Sequence, residues 1–226
     1  QGAPIDPSSL EGWQPDDVPV ESLDVALLAR LRSLLDAAER PLILAGHGVR
    51  LSGGAKAFRQ LVETLGVPVV TTWNAMDLLP YEHPLYVGRP GVVALRAPNF
   101  AVQNADLLIA IGCRLDNIIT AYAPRDFARS ARKVIVDVDV NEIEKLDMDI
   151  EVAIASDANN FSSALGPYLG SVEYRRPQWI ERCADWKARY SVNDGKPFPG
   201  EGPISHFQFA DALSDAVPAD TLVSTG

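Results

Sequence analysis

The chain has 226 residues, 47% of them hydrophobic and 22% charged, the make-up of an ordinary globular protein with room for one large domain. Thirty acidic against twenty basic residues give a net charge of −10, which sets the chain against nucleic acid and other polyanions. No apolar run is long enough to span a membrane and no secretion signal opens the sequence. The two distant cysteines, Cys113 and Cys183, argue for a reducing cytoplasm, with neither a disulfide framework nor a zinc site.

Residues 1–20 hold four prolines and little periodicity, and read as an extended lead-in. A helix follows, with Ser22 as its expected N-cap and Val25, Leu28, Leu31, Leu34 and Leu35 on one face. "PLILAG" is apolar throughout, as a parallel strand covered on both faces requires. A helix over "GGAKAFRQLVETLG" buries Phe58, Leu61, Val62 and Leu65 and stops at Gly66. Strands are then expected at "VPVVTTW", "PLYVG", "DLLIAIG", "RKVIVDVDV" and "EVAIAS", with helices at "APNFAVQNA", "NEIEKL" and "DANNFSSALGPYLG", the last capped by Asp157. This alternation predicts a doubly wound α/β domain over residues 21–170, a parallel sheet with helices on both faces. Residues 171–203 read as a helix, with Trp179, Cys183 and Trp186 near one side, and a linker of three glycines and three prolines. Residues 204–226 start afresh with a helix, a turn at Pro218-Ala219-Asp220 and a strand, the opening of a further domain.

Open parallel sheets bind ligands beyond the carboxyl ends of their strands. The residues there are Gly46, His47 and Gly48; Thr72, Trp73 and Asn74; Cys113, Arg114, Leu115 and Asp116; Asp137, Asp139 and Glu142; and Asp157 and Ala158. Glycines let backbone amides approach a diphosphate, arginine neutralises it, and an acid accepts from ribose hydroxyls. Each element also has a plain reading. The glycines can make a simple turn, Arg114 can pair with Asp116, and Asp137 can hold local amides. Cys113 reads most simply as a small core residue. No catalytic triad, metal-ligand cluster or paired-carboxylate site stands out.

In sequence order these stretches carry more. "ERPLILAGHGVRLSGGAKAFRQLVETLGVPVVTTWNAMDLLPYEHPLYVGRPG" and "NFAVQNADLLIAIGCRLDN…KVIVDVDVNEIEK" strongly resemble the central domain of thiamine-diphosphate-dependent enzymes of the acetolactate synthase type, from about Ala38 to Ala158. The resemblance implies a DHS-like NAD/FAD-binding, Rossmann-like fold that holds FAD or another ADP-containing molecule. It also implies Mg²⁺ and thiamine diphosphate in a following domain, a 2-keto acid substrate, the remaining domains of the parent enzyme as partners, and a homo-oligomer. A catalytic glutamate would lie in a preceding domain, so this stretch alone is expected to be inactive. By resemblance the cofactor contacts are Gly46, His47 and Gly48, Thr72 and Trp73, Gly91, Gly112, Cys113, Arg114 and Asp116, Asp137, Glu142 and Ile143, and Asp157 and Ala158, with Gly226 approaching thiamine diphosphate. The sequence departs from the FAD-containing pattern at Val93-Ala94, where His-Gly is usual, at His47 and at Asn117. FAD, ADP and an empty site stay open. So do two other classes: a non-binding spacer and assembly surface, and a free-standing NAD-dependent enzyme, for which no catalytic His or Lys can be placed.

Overall fold

A computed structural model of the chain describes Asp6 and residues 23–170, 174–218 and 221–224. Its centre is a sheet of six parallel strands: β1 (Pro41–Ala45), β2 (Val69–Thr71), β3 (Tyr86–Gly88), β4 (Leu107–Ile111), β5 (Arg132–Asp137) and β6 (Val152–Ala155). The spatial order is β3-β2-β1-β4-β5-β6. The chain therefore winds outward from β1 on one side, then returns to wind outward on the other, and the two halves part between β1 and β4. This is the doubly wound α/β fold.

The apolar run of β1 serves two cores at once. Ile43 and Ala45 join Ile109 and Val134 in a core beneath α1 (Val25–Ala37), α3 (Ala55–Leu65) and α6 (Ala158–Leu169). Leu42 and Leu44 join Leu108, Ala110 and Ile135 beneath α4 (Arg96–Asn104) and α7 (Pro177–Arg189). Alternate side chains leave opposite faces of a strand, so a two-faced core demands apolar residues at every position. Short helices α2 (Gly48–Leu51) and α5 (Val140–Glu144) follow β1 and β5.

The helix ends follow local chemistry. Gly66, in the left-handed region at φ 61°, ends α3, and Asp157 caps α6 by accepting from the amides of Asn159 and Asn160. The first helix departs from expectation. Asp24 caps α1 by accepting from the Leu27 amide, whereas Ser22 lies outside the described residues. Val25, the first helical residue, is 71% exposed, while Leu28, Leu31, Leu34 and Leu35 are buried.

Helix α7 is bound to the start of the domain. The buried Trp179 indole donates to the Pro41 carbonyl at 3.0 Å, and Arg176 donates to the carbonyls of Ala38 at 2.9 Å and Leu35 at 3.2 Å. The Lys187 ammonium donates to the carbonyls of Tyr86 and Tyr81 and sits 4.3 Å from the Tyr81 ring centroid; burial lowers its pKa. By contrast α8 (His206–Ala216) buries none of its residues, and Phe207 and Phe209 are exposed. Of the strand expected near the end, the described residues 221–224 belong to no strand of the sheet.

Candidate functional site

The glycines after β1 face the loop after β4 across the point where the two halves of the sheet part. A Cβ on Gly46 would lie 2.1 Å from the Gly112 carbonyl oxygen, and one on Gly48 would lie 2.7 Å from the Gly112 Cα. Gly112 has a positive φ of 57°, and its own Cβ would come within 2.9 Å of Gly48. The three glycines thus let two backbones cross in contact. Their amides are engaged there too: Gly46 donates to Ile111 at 2.9 Å, Gly48 to Gly112 at 3.0 Å, and Gly112 to Val136 at 2.9 Å. The expected amide cradle for a diphosphate is therefore not what these N–H groups form, because each already has a partner inside the protein.

Above this crossing opens a cleft of about 600 Å³. Gly46, His47 and Gly48 enter from β1, Thr72 and Trp73 from β2, Gly112, Cys113, Arg114 and Asp116 from β4, and Asp137 and Glu142 from β5. His47 Nδ1–H donates to the Asn74 carbonyl at 2.9 Å, tying the first loop to the second. Leu115 adopts the left-handed region at φ 49°, a conformation costing about 1–2 kcal/mol. Here the chain reverses so that Leu115 is buried while Arg114 stays exposed.

Charge in the cleft is arranged around Arg114. Its guanidinium does not pair with Asp116 but grips Glu142 with two bonds, Nε to Oε2 at 3.0 Å and Nη2 to Oε1 at 2.9 Å. Glu142 also accepts from Lys145, and these bonds, Arg114 first, hold its pKa down at about 2. Asp116 accepts from the amides of Ile118 and Ile119, which turns the loop. Asp137 accepts from the Asp139 amide at 3.0 Å, but burial outweighs that bond and raises its pKa. The Cys113 thiol is core, pushed up to about 12 by burial.

The other expected residues lie elsewhere. Asp157 and Ala158 line a smaller hollow of about 250 Å³ that shares Gly48, Gly112 and Asp137 with the main cleft. Gly91 lines neither; it is clasped by the Asn99 side chain, and a Cβ built on it would lie 2.8 Å from the carbonyl oxygen of Ile118, a residue of the main cleft. Ile143 is buried in the α4–α7 core. Gly226 lies outside the described residues. Sequence reasoning missed Leu51, Ile118, Ile119 and Val138, apolar cleft residues lying close behind the polar strand-end positions. The available signal was faint: each is an apolar residue within eight positions after a strand end. Among the described residues no group of three or more His, Cys, Asp or Glu could hold a metal, and no helix is long and apolar enough to cross a membrane.

The family model "thiamine pyrophosphate enzyme, central domain" matches residues 28–165. The probable acetolactate synthase large subunit of Methanocaldococcus jannaschii is 35% identical over 161 residues, covering 71% of this chain and 27% of that protein. The acetolactate synthase large subunit of Parasynechococcus marenigrum is 33% identical over 227 residues, covering 98% and 35%. Pyruvate oxidase of Lactiplantibacillus plantarum is 29% identical over 206 residues, covering 89% and 32%. The chain thus spans roughly a third or less of these relatives. With the parallel sheet and its strand order, the match over most of the domain places this chain in the family of thiamine pyrophosphate enzyme central domains.

Proposed function

We propose that the main cleft binds the ADP portion of a nucleotide cofactor, either FAD or ADP itself. One observation carries this reading: loops after four different strands line one cleft beside the point where the strand order reverses, the place where such sheets bind ligands. Its volume suits a small-molecule site. The chemistry of the lining fits as well. Trp73, Leu51 and Ile118 offer apolar surface to a planar ring, and Asp137 and Asp139 are acceptors for ribose hydroxyls. Arg114 is the cation for a phosphate oxygen; Glu142 engages its Nε and Nη2, which leaves Nη1 for the phosphate. The bound nucleotide would supply structural linkage between the loops rather than redox chemistry.

At the level of the whole protein, the reading is a thiamine-diphosphate- and Mg²⁺-dependent enzyme of the acetolactate synthase type, homo-oligomeric and acting on a 2-keto acid. The relatives' names support the acetolactate synthase type, and the family model's description supports thiamine diphosphate. Thiamine diphosphate, when bound, supplies an electron sink for the carbanion left when a 2-keto acid loses CO₂. This domain's residues would take no part in that bond-breaking and would hold the nucleotide and the neighbouring domains.

The test is titration of the purified chain with FAD and with ADP, following flavin fluorescence and melting temperature. Binding raises stability by mass action, by about 2.7 kcal/mol at a hundredfold excess over Kd. A shift with either ligand that is lost in Arg114→Ala supports the cofactor site. No shift with either leaves a spacer and assembly surface.

A further inference from the structure

A second cleft, of about 670 Å³, lies at the opposite end of the strands, against the amino ends of β1 and β4 and the first turns of α7. Its charge inverts that of the chain. Arg40, Arg176 and Arg182 line it against the single carboxylate of Glu39, in a protein whose net charge is −10. Two of the guanidiniums are held in place by neutral groups. Arg40 Nε donates to the Asn104 carbonyl at 2.7 Å, and Arg176 donates to the carbonyls of Ala38 and Leu35. These bonds fix position without neutralising charge; of the two, Arg40 also pairs with Glu39, through Nη1 to Oε2 at 3.5 Å.

Among the described residues neither Arg176 nor Arg182 forms an ion pair with a carboxylate. The Arg182 guanidinium lies 5.9 Å from the centroid of the Trp186 ring, which stands edge-on to Trp179. The nearby Asp106 carboxylate is committed to the turn before β1, accepting the Glu39 and Arg40 amides at 2.9 and 2.8 Å. Like charges converging on one cleft repel each other unless an anion lies between them, and guanidiniums fixed beforehand lose little freedom when they bind one.

We propose that this cleft is a binding site for a small polyanion carrying phosphate or carboxylate groups, separate from the nucleotide cleft. Arg182 and Arg40 grip the anion, while Arg176 sets the local potential. The ligand would bind beside the two indoles of α7, which makes their fluorescence a reporter.

The experiment uses the intact chain carrying Trp73→Phe, which silences the indole of the other cleft. It is titrated at low ionic strength with inorganic pyrophosphate and, separately, with citrate, following tryptophan fluorescence; the two arms separate phosphate from carboxylate recognition. The expected result is saturable binding of at least one probe, weakened about tenfold by Arg182→Ala and again by Arg40→Ala. Arg114→Ala, in the nucleotide cleft, should leave it unchanged. Arg182 is exposed and Arg40 half-buried, and circular dichroism verifies that the variants fold. Binding of neither probe overturns the proposal. So does binding that survives both arginine substitutions, or that is lost in Arg114→Ala. Because neither probe carries a nucleotide, the result is independent of whether FAD or ADP binds the main cleft.

Discussion

Gly46 and Gly112 meet backbone against backbone, with 2.1 Å between a Cβ built on the first and the carbonyl oxygen of the second. No side-chain movement can relieve that contact, because the obstacle is main chain. Gly46→Ala is therefore expected to lower stability by about 3 kcal/mol or more, as overpacking of rigid backbone does. Gly53, at φ 70° with open space around its Cβ position, is the control. There alanine introduces only left-handed strain, of about 1–2 kcal/mol. Denaturant unfolding of the two variants makes the comparison, and equal losses would mean that the crossing yields.

The Arg114–Glu142 pair predicts an acid titration. The Glu142 pKa is lowered to about 2, so the pair's contribution is present above the ordinary carboxylate range and fades as pH falls toward 2. Carboxyl-carbon NMR should place the Glu142 midpoint there. In Arg114→Ala it should move up toward 4.5, the value of an unperturbed glutamate. A midpoint that stays low would assign the shift to Lys145.

Asp137 runs the other way. Burial raises its pKa, so its neutral form is favoured in the fold, and stability declines as pH rises through its titration. Asp137→Asn keeps an acceptor for the Asp139 amide and removes the buried charge. It should hold or raise the melting temperature at neutral pH and flatten its dependence across the carboxylate range. The same variant should bind ADP more weakly if Asp137 accepts from the ribose. A fall in melting temperature at neutral pH would show that the carboxylate, and not merely an acceptor, is needed.

Cys113 and Cys183 are buried and free, and burial pushes both thiols up to about 12. The thiolate is the reactive form. At pH 8 a thiol reagent such as Ellman's should therefore modify neither in the folded protein and both after unfolding in guanidinium. Rapid labelling of one of them would mark local opening of the α4–α7 core.

Much of the fold was legible because buried parallel strands have a blunt signature. "PLILAG" and "DLLIAIG" are apolar on both faces, and Gly66 and Asp157 mark the end of α3 and the start of α6. The convergence of Gly46, Trp73, Arg114 and Asp137 on one cleft was legible too, since it follows from strand direction and the order of winding. What each group does there was not. The amides of Gly46 and Gly48 engage main-chain carbonyls 65 and 64 positions on, and Arg114 chooses Glu142 over Asp116, two residues away. Such choices depend on distances between separate loops, which no local pattern encodes. The arginine cleft was invisible for the same reason: Arg40 and Arg182 come together only because α7 folds back onto the start of β1.

That return carries a consequence for biosynthesis. The bond from Trp179 to Pro41 joins residues 138 positions apart, so a ribosome makes the central strand long before the helix that covers it. Until α7 emerges, Leu42 and Leu44 lack part of their cover, and the nascent chain presents a sticky apolar face to its surroundings. Docking of α7 is thus a late event in the making of each new molecule, fixed by the order in which the residues are made.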